Sequence, residues 1–570
     1  MDNRVFEVNL KSLSAFNPRL SSALCGRAGA KSFYAFSKSR SADTIPEIVL
    51  PAGETISLHS TVDPKREAER LISTAADDTG FFVFLGLGGG FAINAALENT
   101  AARALVIDYD IDSVACLLSS IDYTKLFEDR HFTLCVDYSR EEIKNIIMEK
   151  YNPALFGGIK IIPLRARTER DMPKFDDAAA AIQDAIKNVS ADYSVQAHFG
   201  KRWFSNIIRN LKNAGNAAEN FPFKNLRPVK EAAIAAAGPS LDQQIPFLVD
   251  FKKRGGFIIS SDTALPSLLH NNIEPDAAVS IDCQHISYYH FMSCNLRRDS
   301  RKPRGIPLFL DIASPPLLSD FSPSPVFFSS AHPLAMYVSQ YWQPLPRLDT
   351  SGGNVTYACL SLAESLGAER VTLFGADFSY VQSRSYARGT YIYPFFEKKQ
   401  NRLSTMETLF SSFLYRSPFL PRENAAKKQN YYETAQLRFY REKLEEKAAA
   451  IRADITAAQG QGAPINLPQK KAHNASSAAP FFLKNSKAKT SAREFLEQYR
   501  GAIASLAAAK DADSYINARP EKERQVFTTL LPVAAALKHR SPHLKTAGLM
   551  EEVKHFCINK IDLVLSSEYE

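Results

Sequence analysis

None of the seven cysteines (Cys25, Cys116, Cys135, Cys283, Cys294, Cys359, Cys557) stands in a CxxC pair or at zinc-ligand spacing, which argues against a disulfide framework or a structural zinc. A reducing, cytoplasmic setting is expected. No 18-residue apolar run is present, so no membrane span is expected, and the opening Met-Asp-Asn-Arg lacks the basic-then-apolar order of an export signal. Charge of one sign is also scarce: 69 basic against 61 acidic residues leave a formal +8, too little to mark a dedicated nucleic-acid binder. What the chain has is length. Its 570 residues exceed one hydrophobic core and predict about three or four units of roughly 150 residues each.

Residues 1–175 read as a β-rich segment followed by a Rossmann-like domain. Pro64 opens a helix with acidic residues in its first turns. The run Phe81-Phe-Val-Phe-Leu is a strand, Gly86-Leu-Gly88-Gly89-Gly90 a tight turn, and Ala104-Leu-Val-Ile-Asp108 a second strand ending in an acid. That acid falls near the spacing at which a carboxylate meets a ribose in dinucleotide folds, although Phe91 stands where the last glycine is expected. The turn is read either as structural or as a small-molecule site, and Asp108-Tyr-Asp110 with Asp112 also mimics a DxD metal motif. No other metal-ligand cluster is evident, and no metal ligand is assigned. Residues 176–225 form a helical connector, with Ala181, Ile182, Ile186 and Val189 recurring at three and four. Residues 396–570 form a helical region, with a charged helix over Lys427 to Thr456, a linker near 459–477, and further helices over Ala492 to Ala508 and Glu521 to Lys538.

The chemistry is expected in residues 226–395, where apolar runs with the character of buried parallel strands each end in a polar cluster. The clusters are Gly238-Pro239-Ser240, Asp262-Thr263, Asp282-Cys283-Gln284, Ser351-Gly352-Gly353-Asn354, and Gly375-Ala376-Asp377-Phe378-Ser379-Tyr380 with Tyr386. Ligands of open α/β sheets lie outside the carboxyl ends of the strands, so these residues can converge on one crevice. Ser240 can cap a helix or donate to a phosphate. Asp262 and Asp282 can accept from ribose or base, or cap the segments after them. The Ser351 to Asn354 turn has the composition of a phosphate cradle at a helix N-terminus, and tyrosine hydroxyls can donate to a departing phosphate without a metal.

In this order and spacing the five clusters resemble the Maf (motility-associated factor) family of flagellin glycosyltransferases. Gly238-Pro239-Ser240-Leu241, Ser351-Gly352 and Asp377-Phe378 through Tyr386-Ala387 also resemble bacterial sialyltransferases that use sialic acid activated by cytidine monophosphate (CMP). The resemblance implies a GT-A-like, sialyltransferase-like α/β domain, and transfer of a nonulosonic acid of the pseudaminic, legionaminic or sialic type from its CMP donor to Ser or Thr hydroxyls of flagellin. Gly238, Pro239, Ser240, Asp262, Thr263, Asp282, Gln284, Ser351, Gly352, Gly353 and Asn354 are then the nucleotide-sugar residues, and Tyr380, Tyr386 and Asp377 the catalytic ones. No histidine lies between His332 and His473, where those sialyltransferases carry their base, so the base is unassigned, with His285, His332 or an aspartate as candidates. The CMP-sugar is a substrate and no cofactor is required; divalent-metal dependence and oligomeric state are not readable from the sequence. Two alternatives stand beside this reading: a 6-hydroxymethylpterin diphosphokinase, whose archaeal examples share the Gly-Pro-Ser domain, and a non-catalytic flagellin-binding assembly factor.

Overall fold

The computed structural model describes residues 3–75, 79–99, 102–218, 229–292, 294, 305–381, 384–416, 418, 420–424, 429–468, 470, 488–509, 511–516 and 519–568. The chain divides into two units, Met1–Gly200 with Ser505–Phe556, and Lys201–Ala504 with Cys557–Glu570.

The first unit opens with two helices, Asn3–Phe16 and Pro18–Leu24, where a β-rich start was expected. Phe6 and Leu13 are buried along one side of the first, and Asn9 fixes it by donating to Leu118 O and Ile121 O and accepting from Tyr123 N. An antiparallel meander comes next: β1 (Tyr34–Lys38), β2 (Thr44–Val49) and β3 (Thr55–Ser57). After it stands a parallel sheet in the order β6-β5-β4-β7, made of β4 (Thr79–Leu85), β5 (Arg103–Asp108), β6 (Phe132–Val136) and β7 (Gly158–Pro163). β5 is buried at every position, as a strand covered on both faces must be.

The second unit is built on a seven-stranded, all-parallel sheet in the order β12-β11-β10-β9-β8-β13-β17. Its strands are β8 (Glu231–Ala235), β9 (Phe257–Ser261), β10 (Ala277–Ser280), β11 (Leu308–Asp311), β12 (Pro325–Phe328), β13 (Arg370–Phe374) and β17 (Asp454–Ala457). Strand order reverses between β8 and β13, the switch point at which such sheets open a crevice. A small antiparallel sheet, β14 (Tyr380–Val381) with β16 (Gln429–Glu433) and β15 (Leu420–Asn424), adjoins it in sequence.

The helix expected over Lys427 to Thr456 is therefore shorter, Ala435–Ala450, and is flanked by β16 and β17. Ile455, 4 % exposed, drives the correction: β17 lies against β13 in parallel register, and adding an edge strand to a preformed sheet outweighs the helical pattern of the charged residues before it. The C-terminal region is thus not wholly helical. The expected linker begins as packed chain, and its residues 469 and 471–477, together with His473, lie outside the described residues. No described helix is long and apolar enough to cross a membrane.

Candidate functional site

In the first unit the glycine-rich turn comes after β4 at the point where the order of its sheet reverses, but protein groups fill the crevice. Arg167, fully buried, donates from Nε to Asp108 Oδ1 (3.0 Å) and from Nη2 to Tyr109 O (2.8 Å). The second oxygen of Asp108 accepts from Leu87 N (2.7 Å), Gly89 N donates to His59 Nε2 (2.8 Å), and Tyr123 donates to Gly88 O. Asp110 accepts from Asp112 N and Ser113 Oγ at the start of Ile111–Ser120, and Asp112 pairs with Arg27. Each carboxylate of the DxD-like stretch thus has a partner within the chain.

In the second unit the Gly238-Pro239-Ser240 turn and the Gly375-to-Asp377 turn meet at the switch point. Gly238 N donates to Gly375 O (2.8 Å), and a Cβ on Gly238 would lie 2.4 Å from both Gly375 O and Asp377 Oδ2. Ser240 N donates to Asp377 Oδ2 (2.7 Å) and Ser240 Oγ to Oδ1. Ser240 heads Leu241–Lys253 without a side-chain cap; its hydroxyl is taken by the carboxylate. Burial raises the Asp377 carboxyl above its ordinary value, and the bonds from Ser240 oppose that. Residues 459–463 close over the pair. Gln461 N donates to Ser240 Oγ (2.8 Å) and Ala463 N to Asp377 O (2.9 Å), while a Cβ on Gly462 would stand 2.5 Å from Asp377 O.

A second group forms beyond β9 and β10. Asp262 accepts from Thr263 N (2.7 Å), Thr263 Oγ1 (3.0 Å) and Ser280 Oγ (2.7 Å), and its Oδ2 stands 3.4 Å from His290 Nδ1. Burial works to raise this carboxyl, but the nearby His290, with those hydroxyls, holds it below its ordinary value. Asp282, less buried, accepts from Gln284 N (2.9 Å) and is raised, first by desolvation and then by the charge of Asp262. His285 is exposed at the head of Ile286–Phe291, whereas His290 near its end is buried.

The tyrosines after β13 lie within electrostatic reach of these carboxylates. Burial, above all, pushes the Tyr386 and Tyr391 phenols up; both feel the charge of Asp262, and Tyr391 that of Asp282 as well. Arg416 opposes the rise in both and in Tyr380, whose strand β14 pairs with β16. Asn354 caps Val355–Ser365 by accepting from Tyr357 N (3.0 Å). Ser351 is exposed, with its hydroxyl 3.2 Å from Tyr357 Oη, and Tyr357 in turn donates to Asp349 Oδ2 (2.7 Å). Burial would raise Asp349, but the bonds from Ser351 and Tyr357 and the charge of Lys447 bring it down to about 2. Tyr440, from the helix Ala435–Ala450, lies over Gly353, and burial pushes its phenol up, with a smaller contribution from the charge of Asp282. His332 is remote from these couplings: its ring nitrogens are buried beside Trp203, and desolvation lowers it to about 3.

The structure therefore brings Ser240 and Asp377 together as a clamp and gathers Asp262 and Tyr386 around His290 and Tyr391, with Asp282 nearby; the Ser351 to Asn354 turn is tied instead to Asp349 and Tyr357. His290, Tyr391, Arg416, Tyr440 and residues 459–463 escaped the sequence reading. Only the aromatic run Tyr288-Tyr289-His290-Phe291 offered a signal for His290. Among the described residues no group of three or more His, Cys, Asp or Glu side chains could hold a metal ion.

Residues 201–383 match the family model described as 6-hydroxymethylpterin diphosphokinase MptE-like. An uncharacterized protein of Treponema pallidum is 37% identical over 155 residues, 25% of this chain and 53% of that one, so the chain spans about half the length of that relative. A second uncharacterized T. pallidum protein is 30% identical over 186 residues, 31% of this chain and 87% of that one. Among solved structures, a Maf glycosyltransferase from Magnetospirillum magneticum AMB-1 superposes with a TM-score of 0.62 at 14% identity, covering 99% of this chain and 96% of that one. At that identity the likeness is one of fold.

Proposed function

We propose that the chain, which belongs to one family with the uncharacterized T. pallidum protein that it matches over 87% of that protein's length, is a glycosyltransferase moving a nonulosonic acid from a CMP donor to Ser or Thr hydroxyls of flagellin. The observation that carries the reading is the gathering of Asp262, His290, Tyr391 and Tyr386, with Asp282 nearby, beyond the carboxyl ends of β9 and β10 of a parallel sheet. The fold likeness to a Maf glycosyltransferase supports it, and a sialyltransferase-like central domain belongs to the same proposal.

In this assignment Thr263, Asp282 and Gln284 hold the nucleoside, with Asp262, whose oxygens are taken by Thr263 and Ser280, bracing them from within, while Ser351, Gly352, Gly353 and Asn354 hold the phosphate at a helix N-terminus. Gly238, Pro239, Ser240 and Asp377 fix the floor of the pocket. Tyr380 and Tyr386 donate to the phosphate as the glycosidic bond breaks; phenols raised by burial stay protonated at neutral pH and remain donors. CMP carries its own leaving-group charge, so no cofactor enters the scheme, and flagellin is the proposed partner. Calorimetry with CMP tests it: the wild-type chain binds, and Ser351→Phe, which fills the turn, abolishes binding. Unchanged binding in the variant removes the pocket assignment.

The family match over residues 201–383 favours a second reading, pyrophosphoryl transfer from ATP to a hydroxymethylpterin. Release of AMP with magnesium, ATP and 6-hydroxymethylpterin would establish it.

A further inference from the structure

We infer that His290 is the general base that takes the proton of the attacking hydroxyl, with Asp262 as the positioning residue that orients its ring. The inference rests on the glycosyltransferase reading above and supplies the one group that reading lacks.

Three observations carry it. First, His290 is only 7% exposed and Asp262 only 1%, and His290 Nδ1, buried without a hydrogen-bond partner among the described residues, stands 3.4 Å from Asp262 Oδ2. A buried carboxylate beside imidazole Nδ1 favours the tautomer with the proton on Nδ1, which leaves Nε2 as the basic nitrogen. Second, Asp262 is itself held by Thr263 and Ser280, so the carboxylate beside the ring has little freedom. Third, the pair lies among the predicted site residues. The Tyr391 ring packs on the imidazole at 4.6 Å between centroids, and Asp262 also acts on Tyr386. The charged and titratable groups acting on His290 are thus Asp262 from the end of β9, Asp282 from the end of β10, and Tyr391 across the pocket. Neither His285, which is exposed, nor His332, whose ring is enclosed beside Trp203, shares that setting.

In the proposed step the acceptor oxygen forms a bond to the anomeric carbon, and the bond from that carbon to the phosphate oxygen breaks. The electron pair leaves with CMP, and the hydroxyl proton passes to His290 Nε2.

The test uses the full chain, unmodified flagellin as acceptor, and CMP-N-acetylneuraminate, CMP-legionaminate and CMP-pseudaminate as donors, with CMP affinity measured in parallel. His290→Ala is expected to lower kcat by about 100-fold while leaving CMP affinity within about twofold, and added imidazole to restore part of the rate. Asp262→Asn is expected to lower kcat less and to move the acid limb of the pH–kcat profile, a readout that loss of packing alone would not shift. A His290→Ala enzyme that keeps kcat within about threefold overturns the base assignment. So does one that loses CMP affinity and turnover together, which would make His290 a support of the pocket. A wild-type chain that binds no CMP and transfers none of the three sugars overturns the underlying reading, and the base with it.

Discussion

At the scale of single residues, the two units use buried charge in different ways. In the first, Arg167 and Asp108 are 0% and 1% exposed, and the guanidinium occupies the crevice beside the glycine-rich turn. Removing one partner strands the other charge, so Arg167→Ala should cost about 3 to 5 kcal/mol in urea unfolding; an unchanged midpoint would contradict the buried pair. His59 makes a related claim with the sign of the pH dependence fixed. Burial lowers its pKa to about 4 from 6.5, and Nε2 must stay unprotonated to accept from Gly89 N. The unfolded chain binds this proton first, so the stability present above pH 6.5 is lost as pH falls toward 4, by about 1 to 3 kcal/mol. His59→Gln should flatten that limb of a stability–pH curve. In the second unit Asp377, with both oxygens bound by Ser240, ties two turns together: Asp377→Asn is expected to lower stability by about 1 to 3 kcal/mol, seen as a reduced melting temperature.

At the scale of elements, much of the fold was legible because apolar strands ending in glycine or acid leave a local signal. β8, β9, β10 and β13 fall where the runs before Gly238, Asp262, Asp282 and Gly375 place them. What escaped depends on partners distant in sequence. β17 becomes a strand because β13 offers it an edge, and nothing in Asp454-Ile-Thr-Ala announces that. The first helix owes its place to Asn9 reaching Leu118, Ile121 and Tyr123, more than a hundred residues away. The same holds for the site: its polar strand ends were readable singly, but His290, Tyr440 and Gly462 acquire their positions only when the sheet is assembled. Two substitutions probe these elements. Ile455→Ala should cost about 2 to 4 kcal/mol if β17 is a buried part of the sheet. Gly462→Ala, which drives a methyl into the Asp377 backbone, should displace residues 459–463 and reduce any affinity for CMP, whereas unchanged binding would separate that segment from the pocket.

At the scale of the whole molecule, the fold is that of a Maf glycosyltransferase over nearly the full length of both chains, while the family model matches residues 201–383. The proposed chemistry starts in that matched stretch and extends past it to Tyr386, Tyr391 and the helix that brings Tyr440; the crevice of the first unit is filled by its own Arg167. Ligand binding should therefore be felt through the second unit, and CMP at about 100 times its dissociation constant should stabilise the protein by about 2.7 kcal/mol. The most direct measurement is the intact mass of flagellin before and after incubation with the purified chain and CMP-activated nonulosonic acids. The account predicts added mass in whole nonulosonic-acid increments, with one CMP released per increment. Unchanged flagellin mass with all three donors, under conditions in which the chain is folded, would contradict it.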